Sequence, residues 1–490
     1  MLDKTNPKVN IRSIIYLLFL LAYAVFHVYL INCHEAWRDE AQAWTLAANI
    51  SLPQLFSLLS VEGHPALWFL FLRIFAKLGL TFPYISYLSL ILMLCALAML
   101  LFKSPFPDVV KLAVSLSLVF IYYNPVISRV YSLIILLVVI LAVYWPQKYD
   151  KPILYGILIA LLFQTHIIMS GLACGLMACM FFRCIKRGQC TKYQFIGTLI
   201  AFISFCLLIF ELYPRSSTPA SVDVSLGSIL TSVCTSTLID GFFILYKAIF
   251  NPDSRFIMYI VKFFLLYLAV VLMVIIFRRK FLSLFDALFV SLCGLSAIYL
   301  IITFVYYGTV QMQRIFLFMG IFSAWIICSE TDDRIIKTMV LLMIAVPSIF
   351  SMQKWFSDIR ADISNEYSSA KTMSEYIVNE LPDDSVVLLS YDSLNPPVVA
   401  YTEAYRDDIV FFDIDGAAPF DCHIWKLEYS EKSVSDIDDT ICDYFPETSN
   451  IYYLTSKDYP KIDVAEHFAS VFDTGAPSII EEDYILYLIR

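Results

Sequence analysis

The chain has 490 residues, 59% of them hydrophobic and only 16% charged, with a mean hydropathy of +0.73. Soluble domains average roughly 45–50% apolar and about 25% charged residues, so this composition excludes a wholly soluble protein and points to a polytopic membrane protein. The net charge of −9 hides an asymmetry, because residues 351–490 hold 28 Asp and Glu against 9 Lys and Arg, leaving −19 there and +10 on the rest.

That split predicts a basic transmembrane domain over 1–350 and an acidic soluble domain over 351–490. Nothing in the charge pattern suggests a nucleic-acid partner. Ten of the twelve cysteines lie in or beside apolar runs, where Cys behaves as a small hydrophobe. Cys174, Cys179, Cys184 and Cys190 are spaced too widely for a zinc site. Cys422 and Cys442 share the acidic tail, as one disulfide or as two thiols.

Residues 14–32 form an apolar run behind Lys4, Lys8 and Arg12. At ~20 residues for a ~30 Å hydrocarbon core, it predicts a first spanning helix with a cytoplasmic N-terminus rather than a cleaved signal. Directly after it comes Cys33-His34-Glu35-Ala36-Trp37-Arg38-Asp39-Glu40-Ala41-Gln42-Ala43-Trp44, answered by Glu62-Gly63-His64-Pro65. Ionisable groups concentrated beside a spanning segment are costly, and mark a candidate functional site.

Hydropathy makes 65–80 the next candidate span, but a crossing there would invert all later ones and place Arg183-Lys186-Arg187 and Arg278-Arg279-Lys280 outside. The segment also carries Arg73 and Lys77 between Pro65 and Pro83. It is therefore expected to lie flat as an interfacial helix within an outer loop over 33–83. Further spans are expected at 84–102, 111–124, 127–145, 152–168, 170–183, 194–212, 256–277, 281–306, 314–329 and 335–350, eleven in all.

An odd number of crossings puts the C-terminal domain outside the cytoplasm. A second outer loop is expected over 213–255. In the tail, a helix near 365–380 and strand-like runs at 385–390, 409–412, 450–454 and 485–489 predict a small α/β or α+β domain. No phosphate-binding glycine loop or zinc motif occurs in the sequence.

This threading brings the unusual polar groups to the outer surface: Asp39, Glu40 and His64 in the first loop, Arg129 and Tyr131 at the top of one span, His166 at the top of another, then Gln311, Gln313 and Arg314. Such a set can accept a proton and hold an anion. Arginine suits the second task because its planar fork pairs bidentately with phosphate oxygens. Each residue also has an ordinary alternative: solvation for the acids, interfacial anchoring for the arginines, core packing for His166 and Tyr131.

The order of the acidic pair, then Glu62-Gly63-His64-Pro65-Ala66-Leu67-Trp68, then Ser128-Arg129-Val130-Tyr131 resembles the polytopic GT-C glycosyltransferases. Within that fold the resemblance is to protein O-mannosyltransferases, aminoarabinose transferases and RgtA/B/C/D-like lipid-linked sugar transferases. It runs over about residues 30–185, and Ala66 stands where the family often has a second proline after His-Pro.

The resemblance implies an α-helical polytopic membrane protein with an extracytoplasmic C-terminal domain, which transfers a sugar with inversion from a polyprenyl-phosphate donor to a glycan, lipid or protein acceptor. It implies a catalytic carboxylate at Asp39, with Glu40 beside it. His64, Arg129, Tyr131, His166 and Arg314 would bind substrate. Some relatives use a divalent metal, for which Asp39, Glu40 and Glu62 would supply oxygen ligands. The alternative is a transporter or flippase of lipid-linked glycans, which would favour polar groups at the bilayer midplane and internal repeats; no repeat is evident.

Overall fold

The computed structural model describes residues 11–186, 191–213, 256–304, 310–389, 394–424, 433–457, 462–475 and 477–490. From residue 214 on, the expected second outer loop lies outside the described residues, as do the side chains of Gln311 and Gln313.

The first apolar run forms helix α1 (Ile11–Cys33). Three helices of eleven residues each follow: α2 (Arg38–Ala48), α3 (Leu52–Glu62) and α4 (Leu67–Lys77). The next helix, α5 (Ile85–Lys103), is long again. The segment expected to lie flat is therefore helical but short, and it buries Trp68, Phe69 and Leu72. It packs on α2, where Arg73 Nη1 donates to the carbonyls of Ala47 and Ile50 at 3.2 and 2.8 Å. A charge that looked out of place in an apolar stretch thus satisfies the orphan carbonyls at the end of α2.

The stretch expected as one span over 111–124 is broken. Helix α6 (Asp108–Ser115) gives way to two single-turn helices, α7 (Leu118–Ile121) and α8 (Tyr123–Val126), and the bend is 55°. Backbone freed by such a break in an apolar setting must find other partners. Tyr23 Oη of α1 donates to the Phe120 carbonyl, His27 ring nitrogens lie 2.7 Å from the Tyr23 and Ile121 carbonyls, and Asn124 donates to the Val119 carbonyl at 2.7 Å. The polar residues of α1 are the complement of the break.

Helices α9 (Tyr131–Tyr144), α10 (Pro152–Phe163), α11 (Ser170–Lys186) and α12 (Lys192–Leu212) follow. Where α10 crosses α12, a side chain at Gly156 would collide with the backbone of Gly197. Small residues at this crossing let the two backbones meet, the usual solution between apolar helices. Helices Phe256–Phe277, Phe285–Phe304, Val310–Glu330 and Arg334–Phe350 complete the apolar part.

Among the described residues, four helices are long and apolar enough to cross a membrane, or five with the bent pair counted as one. Helices α9 and α10, at 14 and 12 residues, are apolar but shorter than a full crossing, so the expected spans are not all full-length. Helix Pro152–Phe163, at twelve residues, reaches only about 18 Å, and the chain breaks at Gln164–His166 before α11.

The tail opens with helices Met352–Ser364 and Ala370–Glu380. Its strands are β1 (Val386–Leu389), β2 (Val410–Asp413), β3 (Ala418–Pro419), β4 (Ile451–Ser456), β5 (Ala469–Asp473) and β6 (Tyr484–Leu488), ordered β3-β2-β1-β4-β6-β5. β1 runs parallel to β2 and β4, while β3, β6 and β5 add antiparallel pairings. A parallel centre with antiparallel edges follows from the helices between the first strands. The four expected strands are present; β3 and β5 are additions at the two edges.

Candidate active site

The polar residues singled out by sequence meet where helices begin, end or break. Each such point leaves backbone groups to be satisfied, so polar side chains gather there.

Helix α2 begins with Arg38-Asp39-Glu40, two acids in the first turn where the helix dipole favours them. The two carboxylates turn to consecutive residues of one partner. Asp39 pairs with the Arg129 guanidinium, and Glu40 accepts the backbone N–H of Ser128. The acidic pair thereby clamps the short link between α8 and α9.

Their environments differ. The Asp39 side chain is 26% exposed, pairing with Arg129 through one oxygen and with Arg38 Nε at 3.3 Å through the other. Burial would raise its carboxyl, but Arg129 and then Arg38 outweigh that and hold it below the ordinary carboxylate value. Glu40 is fully buried. It also accepts the Trp37 N–H at 3.3 Å, closing the first turn of α2, and stands 3.5 Å from His34 Nε2.

His34 was not assigned a role from the sequence. Its Nδ1 lies 3.2 Å from Asp362 of the tail, whose carboxylate also accepts the Tyr122 hydroxyl at 2.6 Å. Burial opposes a charge on His34, but Asp362 and Glu40 outweigh it and raise the imidazolium to about 10. A buried cation between two carboxylates thus joins the first loop to the tail.

Further contacts tighten the same junction. Glu482 accepts the Arg38 N–H at 3.2 Å and the Ser368 hydroxyl at 2.8 Å, and burial pushes its carboxyl up to about 8. Gln42 donates to Glu62 at 2.8 Å and to the His423 carbonyl at 2.7 Å. The Tyr401 hydroxyl accepts the Ala36 N–H at 2.7 Å. The only signal for these tail residues would have been proximity, which a single sequence does not carry.

His64 follows Gly63, which takes the left-handed conformation (φ 70°) that ends α3. The turn carries the His64 ring to 4.7 Å from that of His166, and Tyr131 stacks on His166 at 5.9 Å. Burial and then the Arg129 charge lower His64 to about 4, so it is neutral, and its buried Nδ1 meets no partner among the described residues. His166 sits at the break between α10 and α11, its Nδ1 accepting the Ile168 N–H at 3.1 Å. That bond leaves the ring proton on Nε2.

Arg314 is buried on helix Val310–Glu330, its guanidinium over the Tyr123 ring. Its Nε and Nη1 meet no acceptor among the described residues. Arg129, Tyr131 and Arg314 line one small cavity with Tyr123, Asn124 and Ile127. The structure therefore brings Asp39, Glu40, His64, Arg129, Tyr131, His166 and Arg314 into one neighbourhood through these pairwise contacts.

No three His, Cys, Asp or Glu converge to hold a metal among the described residues. Glu62, expected as a third oxygen ligand, turns to Gln42, so the donors do not fit a divalent cation. Cys422 and Cys442 are both free, one buried and one exposed.

No family model matches the chain, and no curated protein does. Among solved structures it is similar to ArnT from Cupriavidus metallidurans in the apo state. The identity is 10%, over 96% of this chain and 83% of that one, with a TM-score of 0.21.

Proposed function

We propose that the chain is a membrane glycosyltransferase of the GT-C type, moving a sugar from a polyprenyl-phosphate donor to an extracytoplasmic glycan, lipid or protein acceptor. The observation that carries this reading is the small cavity lined by Arg129 and Arg314, with a partly exposed carboxylate, Asp39, paired to Arg129. A lipid phosphate would supply the acceptors that the Arg314 guanidinium lacks.

In this reaction the acceptor oxygen attacks the anomeric carbon from the face opposite the lipid phosphate. Its proton passes to Asp39. The bond between that carbon and the phosphate oxygen breaks, and the electron pair leaves on the lipid phosphate, whose growing charge Arg129 and Arg314 stabilise. Neutral His64 and His166, next to Tyr131 of the cavity wall, act as hydrogen-bonding groups. Asp39 is a weak base, always ionised near neutral pH, so it suits proton removal late in the transfer. Glu40, buried and fully engaged, positions Ser128 and with it Arg129.

The direct contacts between first loop and tail support one shared face for both, which the proposed chemistry puts outside the cytoplasm, with the N-terminus inside. Titration of the purified full-length protein with polyprenyl phosphate tests the anion site. Arg129→Ala and Arg314→Ala should each weaken binding by roughly tenfold or more, and undiminished binding in both would overturn this reading.

A further inference from the structure

A second cavity, which shares no lining residue with the Arg129–Arg314 cavity, has a volume of about 360 Å³. It opens where two apolar helices meet the tail, and its lining includes Asn32 at the end of α1, Tyr84 and Tyr87 at the start of α5, Lys371 and Glu375 of helix Ala370–Glu380, and Tyr405. Tyr84 and Tyr405 are 53% and 66% exposed, so large aromatic faces stand open on its walls.

Two features define what would fill it. Lys371 and Glu375 are exposed and one helical turn apart, and neither forms an ion pair within 4 Å among the described residues. The groove thus presents one positive and one negative group side by side. Below it, along the same helix faces, the surface is apolar: Val25 and Tyr29 precede Asn32 on α1 at 64% and 53% exposure, and Ile91 follows Tyr87 on α5 at 56%. The two helices pack together, so both exposed faces run down from the end that carries the polar groove.

We propose that this groove seats the headgroup of an outer-leaflet phospholipid carrying both a phosphate and a primary amine. The phosphate faces Lys371, the amine faces Glu375, and the acyl chains lie along the exposed α1 and α5 faces. Tyrosines at that level are at home, since their rings are apolar and their hydroxyls reach water and headgroups. A neutral soluble glycan could use the tyrosine faces but carries no charges to meet Lys371 and Glu375. Because Ile31, His34 and Tyr401 also border the groove, a bound lipid would brace the end of α1 against the tail. This site rests on the proposed topology, with α1 and α5 crossing the membrane and the tail outside the cytoplasm, and does not depend on sugar transfer.

The test uses the full-length protein, purified in a non-glycosidic detergent and stripped of lipid, titrated with dioctanoyl phosphatidylethanolamine. Wild type should bind it saturably and gain thermal stability. Lys371→Glu and Glu375→Lys should each weaken binding about tenfold. The double exchange should recover much of it, because the two charges are merely swapped within one groove. Dioctanoylglycerol, which has neither charge, should bind at least tenfold more weakly. Binding by Lys371→Glu equal to wild type would overturn the site. Tight binding of a soluble oligosaccharide that is lost in Lys371→Glu, with none of the lipid, would overturn the assigned occupant.

Discussion

Asp39 and Arg129, ninety positions apart, are ion-paired at the meeting of α2 with the α8–α9 link, while the next residue, Glu40, holds the backbone N–H of Ser128. A single chain segment is therefore gripped twice, once by its side chain and once by its backbone. In the proposed reaction the first grip joins the base to a group that stabilises the leaving phosphate.

The pair has a structural and a chemical role that a charge exchange separates. Removing Arg129 alone should cost on the order of 2 kcal/mol, between the values for exposed and fully buried pairs. Asp39→Arg combined with Arg129→Asp should recover much of that loss in thermal unfolding of the purified protein. Sugar transfer should stay absent, because the base and the anion holder have changed places.

Arg314 should matter through geometry as well as charge. Arg314→Ala is expected to lower kcat by about 10²–10³, the scale for losing one transition-state donor. Arg314→Lys should restore only a small part, since an ammonium neither lies flat over Tyr123 nor forks onto a phosphate. Single-turnover kinetics with saturating acceptor measures both.

His34 makes the loop–tail junction sensitive to alkali. Its folded value, about 10, lies above the ordinary 6.5. Its stabilising contribution is fully present below pH 6.5 and is lost as pH rises through 10. His34→Gln should therefore lower the thermal midpoint most at pH 6, with the gap to wild type narrowing towards pH 10. An equal gap at both ends would mean that His34 carries no charge.

Glu482 is also shifted upward, the reverse of the usual direction for a partnered acid. Burial raises it from 4.5 to about 8, so its ionisation costs stability as pH climbs through that window. Glu482→Gln, which mimics the protonated form, should flatten the decline in thermal midpoint between pH 4.5 and 8. Glu482→Ala should instead lower the midpoint throughout, because the Arg38 N–H loses its partner.

Much of this site was legible before the fold was. Asp39, Glu40, His64 and Arg129 stood out because charge beside an apolar run needs a reason, and the structure places them together. The tail's strands were visible in their short apolar runs, but its two edge strands were not, since Ala418–Pro419 is too brief to show a period. The break in the 111–124 run left little hydropathy signal, because only Ser115 and Ser117 interrupt the apolar residues around it. Its trace lay elsewhere, in Tyr23 and His27, polar groups of α1 that make sense only beside the freed carbonyls. His34, Asp362 and Glu482 share that property: each is intelligible only through a partner far away in the chain.

The central claim is that Asp39 takes the acceptor proton. The direct measurement is turnover of a polyprenyl-phosphate-linked sugar by purified Asp39→Asn protein that retains the yield and polyprenyl-phosphate binding of wild type. The asparagine keeps the size of the side chain and removes its basicity, so transfer should fall at least 10²-fold, at the low end for losing a positioned general base. Transfer at the wild-type rate would contradict the account.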